Sequence, residues 1–284
     1  GEQLFDAAFG MEAEHFGFMD GDSAVGMLDA MGFEKALDLE GDQLAGMFGA
    51  MDAGQFQDMG KDQVFEAFNA MGFQEALGMG GDSLSGMFGA MDREQLAGLG
   101  EDQLFEAAGL MGGADFGFMD ADSAFGMVDH MGFDQALELG GEQLAGIFGA
   151  MEHDQVAGFD PGQLFDAAFA MDAADFGFMD ADSAFGMFDT MGFDTALNLG
   201  GDQLAGMFGA MDDTQIAGFD PGQLFEAAAD MSGEHFGFMD ADSAFGMFDT
   251  MGLDTALDLE GDQLAGMFGA MDDTQIAGFD PGQL

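Results

Sequence analysis

The chain has no cysteine, so neither disulfides nor thiolate metal sites are available to it. Basic residues are almost as scarce: Lys35, Lys61 and Arg93 stand against 56 acidic residues, for a formal charge of -53. That imbalance excludes nucleic acid, anionic lipid and phosphate ligands as expected partners. No stretch approaches the roughly 18 consecutive apolar residues of a membrane helix, so no membrane insertion is expected. Val, Ile and Thr are few, which argues against β-structure and against a flat threonine array of the ice-binding kind. Only His15, His130, His153 and His235 could serve as neutral-pH acid–base groups, and none has a nucleophile in a recognisable arrangement. No glycine-rich phosphate loop follows a strand pattern. The sequence reads as that of a non-enzyme.

What the chain does have is a period. Methionine recurs at every twentieth residue from Met11 to Met271 without a gap. A fixed period of this length marks a repeat array. In the repeat 201–220, Leu204, Met207, Phe208 and Met211 fall at i, i+3, i+4 and i+7, one helical stripe. A shorter apolar set, Ile216 and Phe219, follows. Each set is preceded by a capping signal: Asp212 with Gln215, and Asp160-Pro161-Gly162-Gln163 with proline at the first helical position. The repeat is therefore expected to be a helix of about two and a half turns followed by one of about one and a half. Helices this short are not stable alone in water, so they must stack on their neighbours.

Three repeat types alternate. The first is exemplified by PGQLFDAAFAMDAADFGFMD (161–180), the second by ADSAFGMFDTMGFDTALNLG (181–200) and the third by GDQLAGMFGAMDDTQIAGFD (201–220). This 60-residue cycle is regular from residue 101 onward and irregular before it, where 61–80 blends the first two types. Large and small residues trade places between types, as close-packed layers demand. The expected fold is an all-α solenoid of about fourteen 20-residue repeats, with a 60-residue superperiod over 1–284 as a single uncapped array, and a partial repeat at 281–284. Gly1 and Leu284 both fall inside repeats. The segment is thus expected to be a mature or internal piece of something longer, or to stack head to tail with copies of itself.

The methionine ladder admits two readings, a soft thioether site for copper(I) or silver and a gap-filling core seam. Its positions are stripe positions among Phe and Leu, which favours the core. The acidic groups are the better cation candidates. Asp29, Asp129, Asp189 and Asp249 lie near the C-terminal end of the longer second-type helix, where an anion is unfavourable and carbonyl oxygens are near. Such a cluster of hard oxygens suits calcium or another divalent cation. Glu138, Asp38 and Asp258 are expected to add ligands from an adjacent coil. A second set comes from the D-x-D-S motif, which looks like the start of an EF-hand loop: Asp20 and Asp22, Asp120 and Asp122, Asp180 and Asp182, Asp240 and Asp242. These also fall at Ncap and N2, where capping competes with metal binding.

At DDTQIAGFDPGQLFEAA (212–228) the chain resembles the short glutamine-capped helical repeats of large, repetitive microbial surface and secreted proteins. The resemblance implies an extracellular or cell-surface location and a structural or adhesive role, with no catalytic residues. Two like charges about 6 Å apart repel by roughly 0.7 kcal/mol even in water. Dozens of carboxylates therefore call for neutralisation by divalent cations, salt or acid. The expected function is a secreted or surface fibre stabilised by divalent cations. The alternatives are a cation-binding or mineral-templating protein and an adhesin stalk.

Overall fold

The computed structural model describes residues 2–279, so the partial repeat at 281–284 lies outside the described residues. The chain is an all-α solenoid, with no strand among the described residues. It forms two compact lobes, Gly1–Leu139 and Gly140–Leu284. Within each lobe every repeat places a longer helix ahead of a shorter one.

The caps set the boundaries. Asp180 accepts a hydrogen bond from the Ser183 amide at 2.7 Å and starts the second-type helix Ala181–Met191. That helix stops at Gly192, whose φ of 80° lies in the left-handed region that glycine tolerates best. The third-type helices Gly201–Ala210 and Gly261–Ala270 instead end at an extended methionine, Met211 or Met271, and Gly141–Gly149 ends one residue earlier at Ala150. Asp212 and Gln215 then form the expected reciprocal box: the Gln215 amide donates to Asp212 at 2.8 Å, and the Asp212 amide donates to Gln215 Oε1 at 3.1 Å. First-type repeats lack that glutamine, and there the shorter element differs from expectation. It is α-helical at Ala13–Phe16 but a 3₁₀ segment at Gly113–Phe118, Asp175–Phe178 and His235–Phe238. The residue three beyond the cap, His15, Asp115, Asp175 or His235, accepts from the cap amide in place of glutamine in both forms.

Thirteen members of the methionine ladder, Met31 through Met271, are buried; Met11 is half-buried. They line the core with Leu44, Phe48, Phe88 and Leu104 in the first lobe and with Leu164, Phe188, Phe208 and Leu224 in the second. The ladder is the core seam. In the second lobe the rings of Phe188, Phe208 and Phe219 meet at 5.1–5.5 Å, and those of Phe248, Phe268 and Phe279 repeat the arrangement at 5.1–5.7 Å. Edge-to-face contacts of this kind add to the area they bury.

The repeats interlock with the neighbour two positions along. In the second lobe, Ser183 Oγ donates to the Met151 carbonyl at 2.7 Å and Ser243 Oγ to Met211 at 3.1 Å. The Gln203 amide donates to the carbonyls of Phe169 and Met171, both at 2.9 Å, and Gln263 to Ala229 and Met231. The first lobe repeats this with Gln43 on Met11, Ser83 on Met51 and Ser123 on Met91. Each donor lies 32 residues beyond its methionine. The last carbonyls of these first- and third-type helices are thereby satisfied by the third residue of a later helix.

Glycine permits the approach. A Cβ added at Gly206 would lie 2.5 Å from the Ala173 carbonyl oxygen, and one at Gly86 would lie 2.5 Å from Ala53 Cα. First-type helices carry an acid at the corresponding place, Asp6, Glu106, Asp166 and Glu226, and there it is exposed. The three types are thus three different packing surfaces, which is the physical content of the 60-residue cycle.

Candidate functional site

The second-type helix presents the candidate carboxylates. Asp29, Asp129, Asp189 and Asp249 sit two residues before its last methionine, on the exposed side. Asp29 borders a groove of about 260 Å³ with Val25, Leu28, Phe33 and Met59. Asp249 borders one of about 340 Å³ with Phe245, Phe248, Leu253 and Phe279. Glu138, Asp38 and Asp258 are exposed too. Among the described residues, no three Asp, Glu or His side chains converge on a point that could hold a metal ion. Isolated carboxylates at the rims of apolar grooves can attract cations; in this arrangement they do not form a closed oxygen shell.

Asp129 has a cationic partner within the chain. Arg93 Nη2 lies 2.6 Å from Asp129 Oδ2, and the same guanidinium stands 5.0 Å from the centroid of the Phe125 ring. Charge-assisted hydrogen bonding and cation–π attraction act on one group at once. The sequence reading did not find this pair, because its members are 36 residues apart. A basic residue at the thirteenth place of repeat 81–100 was the available signal.

The D-x-D-S acids are placed as caps. Asp20, Asp120, Asp180 and Asp240 accept from the amides of Ser23, Ser123, Ser183 and Ser243 at 2.7–2.8 Å. Hydrogen bonding from Ser23 holds the Asp20 carboxyl below the usual carboxylate range. The second acids of the motif meet a glutamine from the next repeat. Gln55 donates to Asp22 at 3.2 Å, Gln215 to Asp182 at 2.9 Å and Gln275 to Asp242 at 2.9 Å. Asp122 holds the same helical position in Ala121–Met131. The glutamine that caps the short helix therefore also ties adjacent repeats.

Two carboxylates are perturbed the other way. Burial pushes Asp82 up, and the neighbouring charges of Asp115 and Asp52 add to it. Burial also pushes Asp175 up, with further repulsion from Asp172 and Glu142. By contrast the Lys61 ammonium, 2.9 Å away, holds Asp92 below the usual range.

Three of the four histidines make local structural contacts. His15 Nδ1 accepts from the Glu12 amide at 3.0 Å, and His235 Nδ1 from the Ser232 amide at 3.1 Å, each in the place that Asp115 and Asp175 fill elsewhere. His153 stacks on Phe185, with ring centroids 6.2 Å apart. No helix is long and apolar enough to cross a membrane among the described residues. No protein-family model, curated protein or solved structure matches the chain.

Proposed function

We propose that the chain is a segment of a structural repeat protein, a secreted or cell-surface fibre whose acidic surface is neutralised by calcium or another divalent cation, and that it is not an enzyme. The observation that carries this reading is the interlock. Serine and glutamine side chains at the third place of second- and third-type helices are committed to carbonyls two repeats away in both lobes. The histidines at 15 and 235 are committed to caps. Polar side chains are used to extend an array, which is what a fibre requires. The exposed carboxylates have few bases to pair with, so mutual repulsion is the main cost that bound cations relieve.

Self-association, by head-to-tail stacking or by continuation of the array, is part of this reading. The resemblance to repeats of microbial surface proteins supports the location, and the acidic surface supports exclusion of nucleic acid. Electron micrographs and melting curves at neutral pH, in calcium and in chelator, test it together. Fibres and a raised Tm in calcium, both lost in chelator, are expected. Fibres that persist unchanged in chelator at low salt overturn the cation component. Discrete particles under every condition overturn the fibre. Saturation with many weakly held ions and no change of shape marks a mineral-binding protein instead.

A further inference from the structure

Four long helices end with a glycine set against the methionine of a later tail. A Cβ added at Gly49 would lie 3.3 Å from Met79 Cα, and one at Gly89 2.9 Å from Met119 Cα. One at Gly149 would lie 2.8 Å from Met179 Cα, and one at Gly209 3.0 Å from Met239 Cα. In three of the four the residue before that methionine is a phenylalanine, Phe118, Phe178 or Phe238, and these stand 39–48% exposed. Phe18, which lies against none of these glycines, stands 88% exposed. Contact with the helix is what covers the ring.

In the fourth case the residue is Gly78. Repeat 61–80 carries a second-type tail, MGFQEALGMG, and the phenylalanine is gone. A Cβ added at Gly78 would meet nothing within 4 Å. A cavity of about 470 Å³ stands there, lined by Gly78 with Ala45, Gly46 and Met79. The same residues lose cover. Ala45 and Gly46 are half-buried where Ala145, Gly146, Ala205 and Gly206 are buried, and Met79 is half-buried where Met119, Met179 and Met239 are buried. The cavity lies wholly within the first lobe.

Two carboxylates, Asp42 and Glu75, also line it. Their places in the repeats are those of Asp82 and Asp115, and of Glu142 and Asp175, pairs whose charges repel. The three basic residues of the chain are engaged elsewhere: Lys61 with Asp92, Arg93 with Asp129, and Lys35 over the Phe5 ring at 5.0 Å.

We infer that this cavity binds a small aromatic amine, with the ring in the space that a phenylalanine fills elsewhere and the ammonium beside Asp42 and Glu75. The volume is that of a small-molecule site. The ring removes apolar lining from water, and the Met79 thioether offers it a sulfur–aromatic contact. The ammonium relieves the repulsion between the two carboxylates, which selects an amine over a neutral or acidic ring of the same size. Binding does not require the chain to form fibres.

Phenethylamine tests this on the full chain at physiological salt, where screening acts beyond about 8 Å. The methyl signal of Met79, assigned by its loss in Met79→Leu, reads the cavity directly. Phenethylamine is expected to shift it in a saturable way. Ethylamine, the charge without the ring, and hydrocinnamate, the ring with the opposite charge, are expected to leave it unmoved at the same concentration. Gly78→Phe returns the ring to the chain and is expected to abolish binding and raise Tm. Asp42→Asn and Glu75→Gln, both at exposed positions, are each expected to weaken binding about threefold. Asp166→Asn, an exposed acid on a first-type helix, serves as the control and should change nothing. A Met79 signal unmoved by phenethylamine, an equal shift with ethylamine, or full binding by Gly78→Phe overturns the site. Should Gly78→Phe fail to fold, equal weakening by Asp166→Asn and Glu75→Gln overturns it as well, in favour of undirected attraction to a polyanion.

Discussion

Residues 61–100 of the first lobe and 181–220 of the second occupy the same phase of the twenty-residue ladder but carry different type sequences. In the second lobe the types follow one another whole. In 61–80 a first-type head, KDQVFEAFNA, joins a second-type tail, MGFQEALGMG. In 81–100 a head with the second-type serine joins a third-type tail, MDREQLAGLG. Three types are thereby compressed into two repeats. The contacts survive the compression. Ser83 reaches Met51 at 2.8 Å and Ser123 reaches Met91 at 2.7 Å, as Ser183 reaches Met151 at 2.7 Å. Gln95 faces Asp62 at 3.4 Å as Gln215 faces Asp182 at 2.9 Å. Phe68 meets Phe88 at 5.8 Å and Phe188 meets Phe208 at 5.3 Å. What differs is the filling: Leu99 stands where Phe219 completes the second lobe's aromatic triad. The unit of recognition is therefore the half-repeat, a head that donates and a tail that accepts, and not the type as a whole.

The largest expected effect probes the core on either side of that comparison. Phe88→Ala and Phe208→Ala each remove a fully buried ring and should cost about 3–5 kcal/mol. Denaturant unfolding of the two variants should show the Phe208 loss as the greater, since that ring touches both Phe188 and Phe219. A Phe88 loss that exceeds it would mean that the compressed region, and not the regular one, carries the better-packed core.

Next in size are the interlocking serines. Ser83→Ala and Ser183→Ala leave the Met51 and Met151 carbonyls without their cross-repeat donor, at about 1–3 kcal/mol each. Equal losses are expected if half-repeats are the unit. A negligible loss at Ser83 beside a full one at Ser183 would break the equivalence.

The smallest effect is electrostatic, and again one site lies in each lobe. The raised Asp82 and Asp175 carboxyls bind protons more readily in the folded chain than in the unfolded one, whose ordinary value is 3.8. Folding stability then falls as pH rises through the window above that value. Asp82→Asn and Asp175→Asn remove the charge while an oxygen remains to accept. Both should raise Tm at pH 7 and lose that advantage towards pH 3 in melting curves. A gain of equal size at both pH values would rule out the electrostatic cause.

Much of the architecture was legible in the residues themselves. The ladder marks the repeat, the i, i+3, i+4, i+7 stripe marks its longer helix, and Asp212 with Gln215 marks the start of the shorter one. Caps and stripes are local, so they can be read without neighbours. The 3₁₀ form at Gly113–Phe118 was not legible, since the same residue type at this place, His15 or His235, stands in an α-helix in one repeat and in a 3₁₀ segment in another. The surroundings of the candidate carboxylates were not legible. Asp129 was singled out as a ligand for a divalent cation, and the structure places the guanidinium of Arg93 beside it. That the ring of Phe125 shares in this contact could not be seen, because Arg93 comes from a short helix two repeats earlier.

By itself the sequence determined the elements: where each helix begins, which stripe is apolar, and that no single repeat could stand alone. Those follow from backbone caps and side-chain periodicity, which act over a few residues. Only the tertiary structure decided the partner. The acceptors of the interlock are main-chain carbonyls of Met51, Met151 and Met171, and a carbonyl is common to every residue. Their donors lie 32 residues on, a distance that matches neither the twenty-residue repeat nor the 60-residue cycle. Which carbonyl a serine meets depends on how closely two helices approach, and that is set by the glycines at 86 and 206 once the chain has folded back on itself.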